Sequence, residues 1–237
     1  MKRIGLLLAI AALSCGSTGG ALVTLPFRAG GVAGPLTFTT PTGWTVTLQT
    51  AKIALGPFYF NTQAPNTQSF RNGTVIIEVT QQVVVDVLDP VLHDVPGGAD
   101  GETGAAVSVE IDLFPQGKPE PPACGAVSDD VGIVAGVATK GTVQVNFSGS
   151  ISFDPCGATP ANPPIARQRV RGADVNLQFT AEPQALELRV DPTHWFDQVD
   201  FSQLTNGTWD VHSPFLNQLI QGVRQETDVY LFSLVPG

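Results

Sequence analysis

Histidine and cysteine each occur only three times in these 237 residues, methionine stands only at position 1, and charged residues make up 14%. Each shortage excludes something. A long solvated helix bundle needs many Lys, Glu and Arg, and the usual charged share is about a quarter, so that architecture is disfavoured. The 12 Lys and Arg are outnumbered by 21 Asp and Glu, for a net charge of −9. No basic face is available to neutralise phosphates, so nucleic acid is not an expected partner. None of the histidines stands in HExxH or HxH spacing, no serine sits in a GxSxG elbow, and no Gly-rich phosphate loop precedes a helix. Nucleophilic hydrolysis has no motif behind it, and an enzyme is not expected. No CxxC pair supports a zinc site. What is present points elsewhere. Apolar residues make up 43%, enough for a core and unlike a disordered chain. The 25 Gly and 19 Pro suit many turns and short elements.

The first residues read as an export signal. Lys2 and Arg3 supply the positive start, and Ile4 to Leu13 is apolar apart from Gly5. That stretch is short of the roughly 20 residues a spanning helix needs and fits the apolar core of a secretory signal. It ends in Ala12-Leu13-Ser14-Cys15-Gly16. Ala-Leu-Ser-Cys in this position resembles the lipobox of bacterial lipoproteins, with Ala12 where that family most often has Leu. The resemblance implies a signal peptide over 1–14, cleavage before Cys15, lipid on Cys15 and a membrane as partner through that anchor. The absence of Asp at position 16 is similar to lipoproteins sent to an outer membrane. An exported, cell-envelope location follows; the alternative is an ordinary signal cut nearby with Cys15 incidental.

If Cys15 carries lipid, Cys124 and Cys156 remain as an even pair. Exported proteins meet oxidising surroundings, so a Cys124–Cys156 disulfide is expected. It would stabilise by roughly 3 kcal/mol on the chain-entropy model; two free thiols are the alternative. Loss of Lys2 and Arg3 with the signal leaves the mature chain at −11. So acidic a protein does not adhere to an anionic leaflet by charge, and the lipid must hold it there.

Residues 15–34 are rich in Gly, Ala, Ser and Thr and read as a flexible tether, with one domain over 35–237. Period-two alternation marks strands at Trp44 to Leu48, Lys52 to Leu55 and Phe58 to Phe60, with a bend at Gly56-Pro57. Val75 to Leu88 reads as one long or bulged strand. His93 to Gly104 reads as a Gly-rich loop. Ala105 to Leu113 alternates, with Val107, Val109, Ile111 and Leu113 on one face and Ser108, Glu110 and Asp112 on a wet one. Residues 115–130 and 154–164 are Pro-rich connections. Val131 to Val137 and Thr142 to Phe153 form a hairpin around Lys140-Gly141, and strands follow at Val170 to Phe179 and Ala185 to Val190. Phe215, Leu216, Leu219, Ile220 and Val223 have helical spacing behind a Ser213 N-cap and Pro214. Asp228 to Leu234 is a final strand. The pattern predicts an all-β fold: an antiparallel β-sandwich, immunoglobulin-like or jelly-roll-like, with one short C-terminal helix. A barrel is the alternative.

Two segments could carry chemistry. The first groups His93, Asp94, Asp100 and Glu102. Calcium takes six to eight oxygens, and acidic loops can supply them; a solvated acidic turn is the plainer reading. The second is Asp191-Pro-Thr-His194-Trp195-Phe196-Asp197-Gln-Val-Asp200-Phe201, which groups an imidazole, an indole and three carboxylates. It reads as a structured turn sealing one end of the sandwich, or as a ligand or metal site completed by His212 or Trp209. Imidazole with carboxylate suits copper or zinc. Trp44, Trp195 or Trp209 could stack on a sugar ring if exposed in a groove, although large aromatics mostly fill interiors.

The strand Trp44-Thr-Val-Thr-Leu-Gln-Thr-Ala-Lys-Ile-Ala-Leu, with Trp195-Phe-Asp-Gln-Val-Asp-Phe late in the chain, resembles exported β-sandwich proteins near the copper-binding partners of methanobactin-type uptake systems. The resemblance implies copper held near a tryptophan and assigns no individual ligand. The expectation is a lipid-anchored, non-enzymatic envelope protein with a binding or structural role and no required cofactor. The alternatives are a copper or calcium module and an enzyme of unrecognised type; a protein or small-ligand partner stays unspecified.

Overall fold

A computed structural model describes residues 19–32, 36–64, 73–117, 130–153 and 168–237. Cys15, Cys124 and Cys156 lie outside the described residues, and so do the signal-peptide and disulfide expectations. The described residues hold thirteen strands: β1 Leu22–Gly31, β2 Thr37–Thr39, β3 Thr45–Leu55, β4 Phe58–Asn61, β5 Val75–Val79, β6 Val83–Asp86, β7 His93–Glu102, β8 Gly104–Asp112, β9 Gly132–Lys140, β10 Val143–Ile151, β11 Arg169–Phe179, β12 Gln184–Val190 and β13 Tyr230–Pro236. Among the described residues one α-helix, α1, spans Pro214–Val223. The all-β expectation holds.

The strands form two sheets. The larger has the order β11-β8-β4-β5-β7-β1-β12-β13, and the smaller β10-β9-β3-β2 with β6 also on β3. Pairing is antiparallel except between β1 and β12, which run parallel. The larger sheet curls strongly. Phe58 and Phe60 on β4 meet Phe232 on β13 at 6.1 and 5.2 Å between ring centroids, although four strands lie between the two in the sheet order. Asp174 N–H on β11 donates to the Glu226 carbonyl just before β13 at 3.1 Å, drawing the two edges together. The result is a sandwich whose larger layer approaches a barrel. One hydrophobic cluster runs through both sheets, from Phe27, Phe58 and Leu188 to Ile53, Val134 and Phe147.

Several elements lie where the sequence places them. The β9–β10 hairpin turns at Gly141, whose φ of +60° suits glycine. Helix α1 begins at Ser213, whose hydroxyl accepts from Leu216 N–H at 3.1 Å, and buries Phe215, Leu216, Leu219 and Val223.

Four expectations need correction. The tether does not extend to residue 34. Residues 22–31 are β1, flanked by β7 and β12, with Leu25, Phe27 and Ala29 buried. Residues 22–31 therefore belong to the folded body. The Val75 to Leu88 run is two strands in different sheets, β5 beside β4 and β7, and β6 beside β3. The expected loop at 93–104 is β7. Its Pro96-Gly97-Gly98 is a bulge, since Leu25 pairs with Ala99 and Phe27 with Val95. Gly97 and Gly98 take positive φ, and a Cβ on Gly98 would stand 2.4 Å from the Leu25 carbonyl oxygen. Glycine there bends the strand without ending the ladder. Finally, Ser108, Glu110 and Asp112 do not face water. All three are buried, whereas Val107 on the expected apolar face is 37% exposed.

The free edge of β10 is covered. Ser148 N–H donates to the Gly207 carbonyl at 2.9 Å, and the Trp209 indole N–H donates to the Ser150 carbonyl at 2.8 Å. An uncovered edge would offer itself to another chain.

Candidate functional site

The first expected cluster sits on β7, and an extended strand spaces its side chains by about 6.7 Å along one face. Each group is engaged locally. His93 Nε2 lies 2.8 Å from Asp89 Oδ2. Arg28 Nε donates to Asp94 Oδ1 at 3.1 Å, and Thr24 Oγ1 donates to Asp100 Oδ1 at 2.7 Å. Glu102 stands opposite Leu22 on β1. The hydrogen bond from His93 holds the Asp89 carboxyl below its ordinary range. Asp100 pairs in register with Glu78 on β5, a like-charge neighbour that a sheet tolerates at a small cost.

The second cluster follows β12. Thr193–Phe196 and Phe201–Gln203 are single 3-10 turns. Asp191 anchors the first, accepting from Thr193 N–H at 2.9 Å and Thr193 Oγ1 at 2.7 Å. His194 Nδ1 lies 2.9 Å from Asp197 Oδ2. That bond raises the imidazole above its ordinary value; burial opposes the rise, and the charges of Asp197, Asp191 and Asp228 add to it. Asp200 caps the second turn through Ser202, whose hydrogen bonds lower the carboxyl.

The aromatic residues of this segment are structural. Phe196 and Phe201 stack at 5.8 Å, and Phe201 also meets Phe147, Trp44 and Phe215. The segment's rings pack against residues of the smaller sheet and of α1. Trp195 is fully buried and Trp44 nearly so, so neither presents a ring face to a sugar or other ligand. Trp209 is half-buried, and it lies over Gly149, where a Cβ would come within 2.6 Å of the indole. It also packs on Phe215 at 4.7 Å. His212 sits in the exposed turn before α1, with its N–H on Asp210 Oδ1 at 2.8 Å. Thus His93 is on β7, His194 follows β12 and His212 precedes α1. Among the described residues no group of three His, Cys, Asp or Glu side chains is arranged to hold a metal ion.

The strongest electrostatic feature lies elsewhere. Arg169, the first residue of β11, reaches across to β8. Its Nε donates to Asp112 Oδ1 at 2.5 Å, Nη2 to Asp112 Oδ2 at 3.0 Å and Nη1 to Glu110 Oε2 at 2.8 Å. The Tyr59 ring lies 5.6 Å from the guanidinium. All three charged side chains are largely removed from water. Burial pushes the Asp112 carboxyl up in spite of its Arg169 bonds. Burial pulls Arg169 down, yet the Asp112 hydrogen bond and the charges of Asp112 and Glu110 hold it above its ordinary value. Tyr59 is raised by burial first and by Asp112 and Glu78 next. The sequence offers only an alternating polar face as a signal for this cluster, because its cation stands 57 residues from Asp112.

Fold and sites together define an all-β protein with a curled mixed sheet, a second smaller sheet and a buried Arg–carboxylate clamp. No protein-family model matches the chain, and no curated protein matches it. Among solved structures, MbnP from Methylosinus trichosporium is similar at a TM-score of 0.38 and 11% identity, over 90% of this chain and 98% of that one.

Proposed function

We propose that this chain is an exported, lipid-anchored envelope protein whose β body acts as a binding or structural module and not as an enzyme. The reading rests on Ala12-Leu13-Ser14-Cys15 after a short apolar core. The observation that carries it furthest is where the first described strand starts. Ala21 N–H donates to Thr103 Oγ1 at 2.9 Å, and the Ala21 carbonyl accepts Thr103 N–H at 2.8 Å. The first strand of the described residues starts at Leu22, seven positions after Cys15, which is compatible with cleavage before Cys15 and lipid upon it. A Cys124–Cys156 disulfide belongs to the same proposal.

Changing Cys15→Ala tests the anchor. The wild-type chain should fractionate with membranes, with an intact mass that includes the acyl groups. The variant should be released in soluble form with its body folded. A Cys15→Ala protein that still sediments with membranes defeats the proposal.

A further inference from the structure

We infer that the end of the larger sheet at which β1 begins faces the bilayer, with Leu22, Val75 and Val107 as its contact with the lipid surface. The inference rests on Cys15 as the lipidated residue. Ala21 is fastened to Thr103, so only six residue steps separate it from Cys15. Fully extended, those steps reach about 20 Å. That is less than the roughly 33 Å that the ten residues of β1 span. A tether of 20 residues would have left the orientation free, whereas this one keeps one end of the body close to the membrane.

The register identifies that end. Leu22 pairs with Glu102 at the close of β7. Val75, at the start of β5, pairs with Asn61, and Ile77 two residues on pairs with Gly101. Gly104 and Ala106 at the start of β8 pair with Phe179 and Leu177 at the end of β11. The three apolar side chains are exposed here: Leu22 by 85%, Val75 by 44% and Val107 by 37%. Exposed aliphatic groups suit an interfacial position, where their surface leaves water; Val91 and Leu231 are exposed at the other end, so the reach of the tether decides which end meets the lipid. At the opposite end β1 closes at Gly31 beside Val190. Charge does not choose between the two ends, since Asp100 and Glu102 lie beside the start of β1; the short tether does.

Amide hydrogen exchange tests the orientation. The lipidated full chain would be reconstituted in vesicles of phosphatidylethanolamine and phosphatidylglycerol and compared with the Cys15→Ala protein mixed with the same vesicles. Residues 19–22, 73–75 and 103–107 should exchange about tenfold more slowly in the anchored protein, on the scale of local protection changes. Residues 89–93 and 191–197 should be unchanged. Protection at 89–93 and 191–197, or no regional difference in a protein that carries lipid and sediments with the vesicles, overturns the orientation and leaves the anchor standing. A chain whose mass lacks acyl groups removes the anchor itself, and the orientation with it.

Discussion

Arg169 grips Asp112 from the neighbouring strand through two parallel hydrogen bonds, Nε to Oδ1 at 2.5 Å and Nη2 to Oδ2 at 3.0 Å, while its remaining nitrogen reaches Glu110. The guanidinium fork matches the carboxylate plane, and that geometry fixes register as well as charge. It sits where β11 enters the sheet, beside the Leu113 N–H to Gln168 carbonyl bond of 2.8 Å. The clamp thus ties the start of β11 to the end of β8.

Removing the cation should be costly. Arg169→Ala leaves Asp112 and Glu110 buried without their shared partner, a change that typically destabilises by about 3–5 kcal/mol. Urea unfolding of wild type and variant checks it. Arg169→Lys should recover only part of the loss, because an ammonium cannot make the paired bonds. Equal midpoints for all three proteins would show that the clamp contributes nothing to stability.

The His194–Asp197 pair predicts a pH dependence. The folded imidazole titrates above its unfolded value of about 6.5. Its stabilisation is therefore complete below that value and is lost as pH rises through the folded one. Urea midpoints measured from about pH 6 to 8 should fall more steeply for wild type than for His194→Gln, in the window set by these pKa values. The ring is 37% exposed, so solvent screening keeps the difference small. Parallel curves for the two proteins would remove this pair as a source of the slope.

Much of the architecture was legible, for physical reasons. The β9–β10 strands alternate around a Lys-Gly turn, and α1 has both a serine cap and a three-and-four spacing, so local pattern and tertiary burial agree there. Strand β1 escaped notice because Leu25, Phe27 and Ala29 alternate within a Gly, Ala and Thr composition that resembles a linker. Strand β7 escaped because Pro96-Gly97-Gly98, ordinarily a turn signal, forms a bulge that the ladder spans. The Arg169 clamp was hidden for another reason. Period two reports that Glu110 and Asp112 share a face, but not that a residue on β11 will cover it. In 191–201 the rings of Trp195, Phe196 and Phe201 are all buried, so composition alone could not say whether the indole faces solvent or core.

Gly222→Ala sets two effects against each other within α1. Helix propensity alone favours alanine by about 1 kcal/mol. Packing opposes it, because a Cβ at position 222 would stand 2.2 Å from the Trp195 carbonyl oxygen and 2.5 Å from its carbon. Both are backbone atoms of the 3-10 turn, which is itself held by Asp191 and cannot yield like a flexible side chain. Overpacking of this kind costs about 1–3 kcal/mol, so the net change should be destabilising. Gln221→Ala, on the exposed side of the same helix, should stay within about 0.5 kcal/mol of wild type. Thermal unfolding of the two variants separates the terms. If Gly222→Ala is as stable as Gln221→Ala or more so, the close seating of α1 on Trp195 does not constrain the fold.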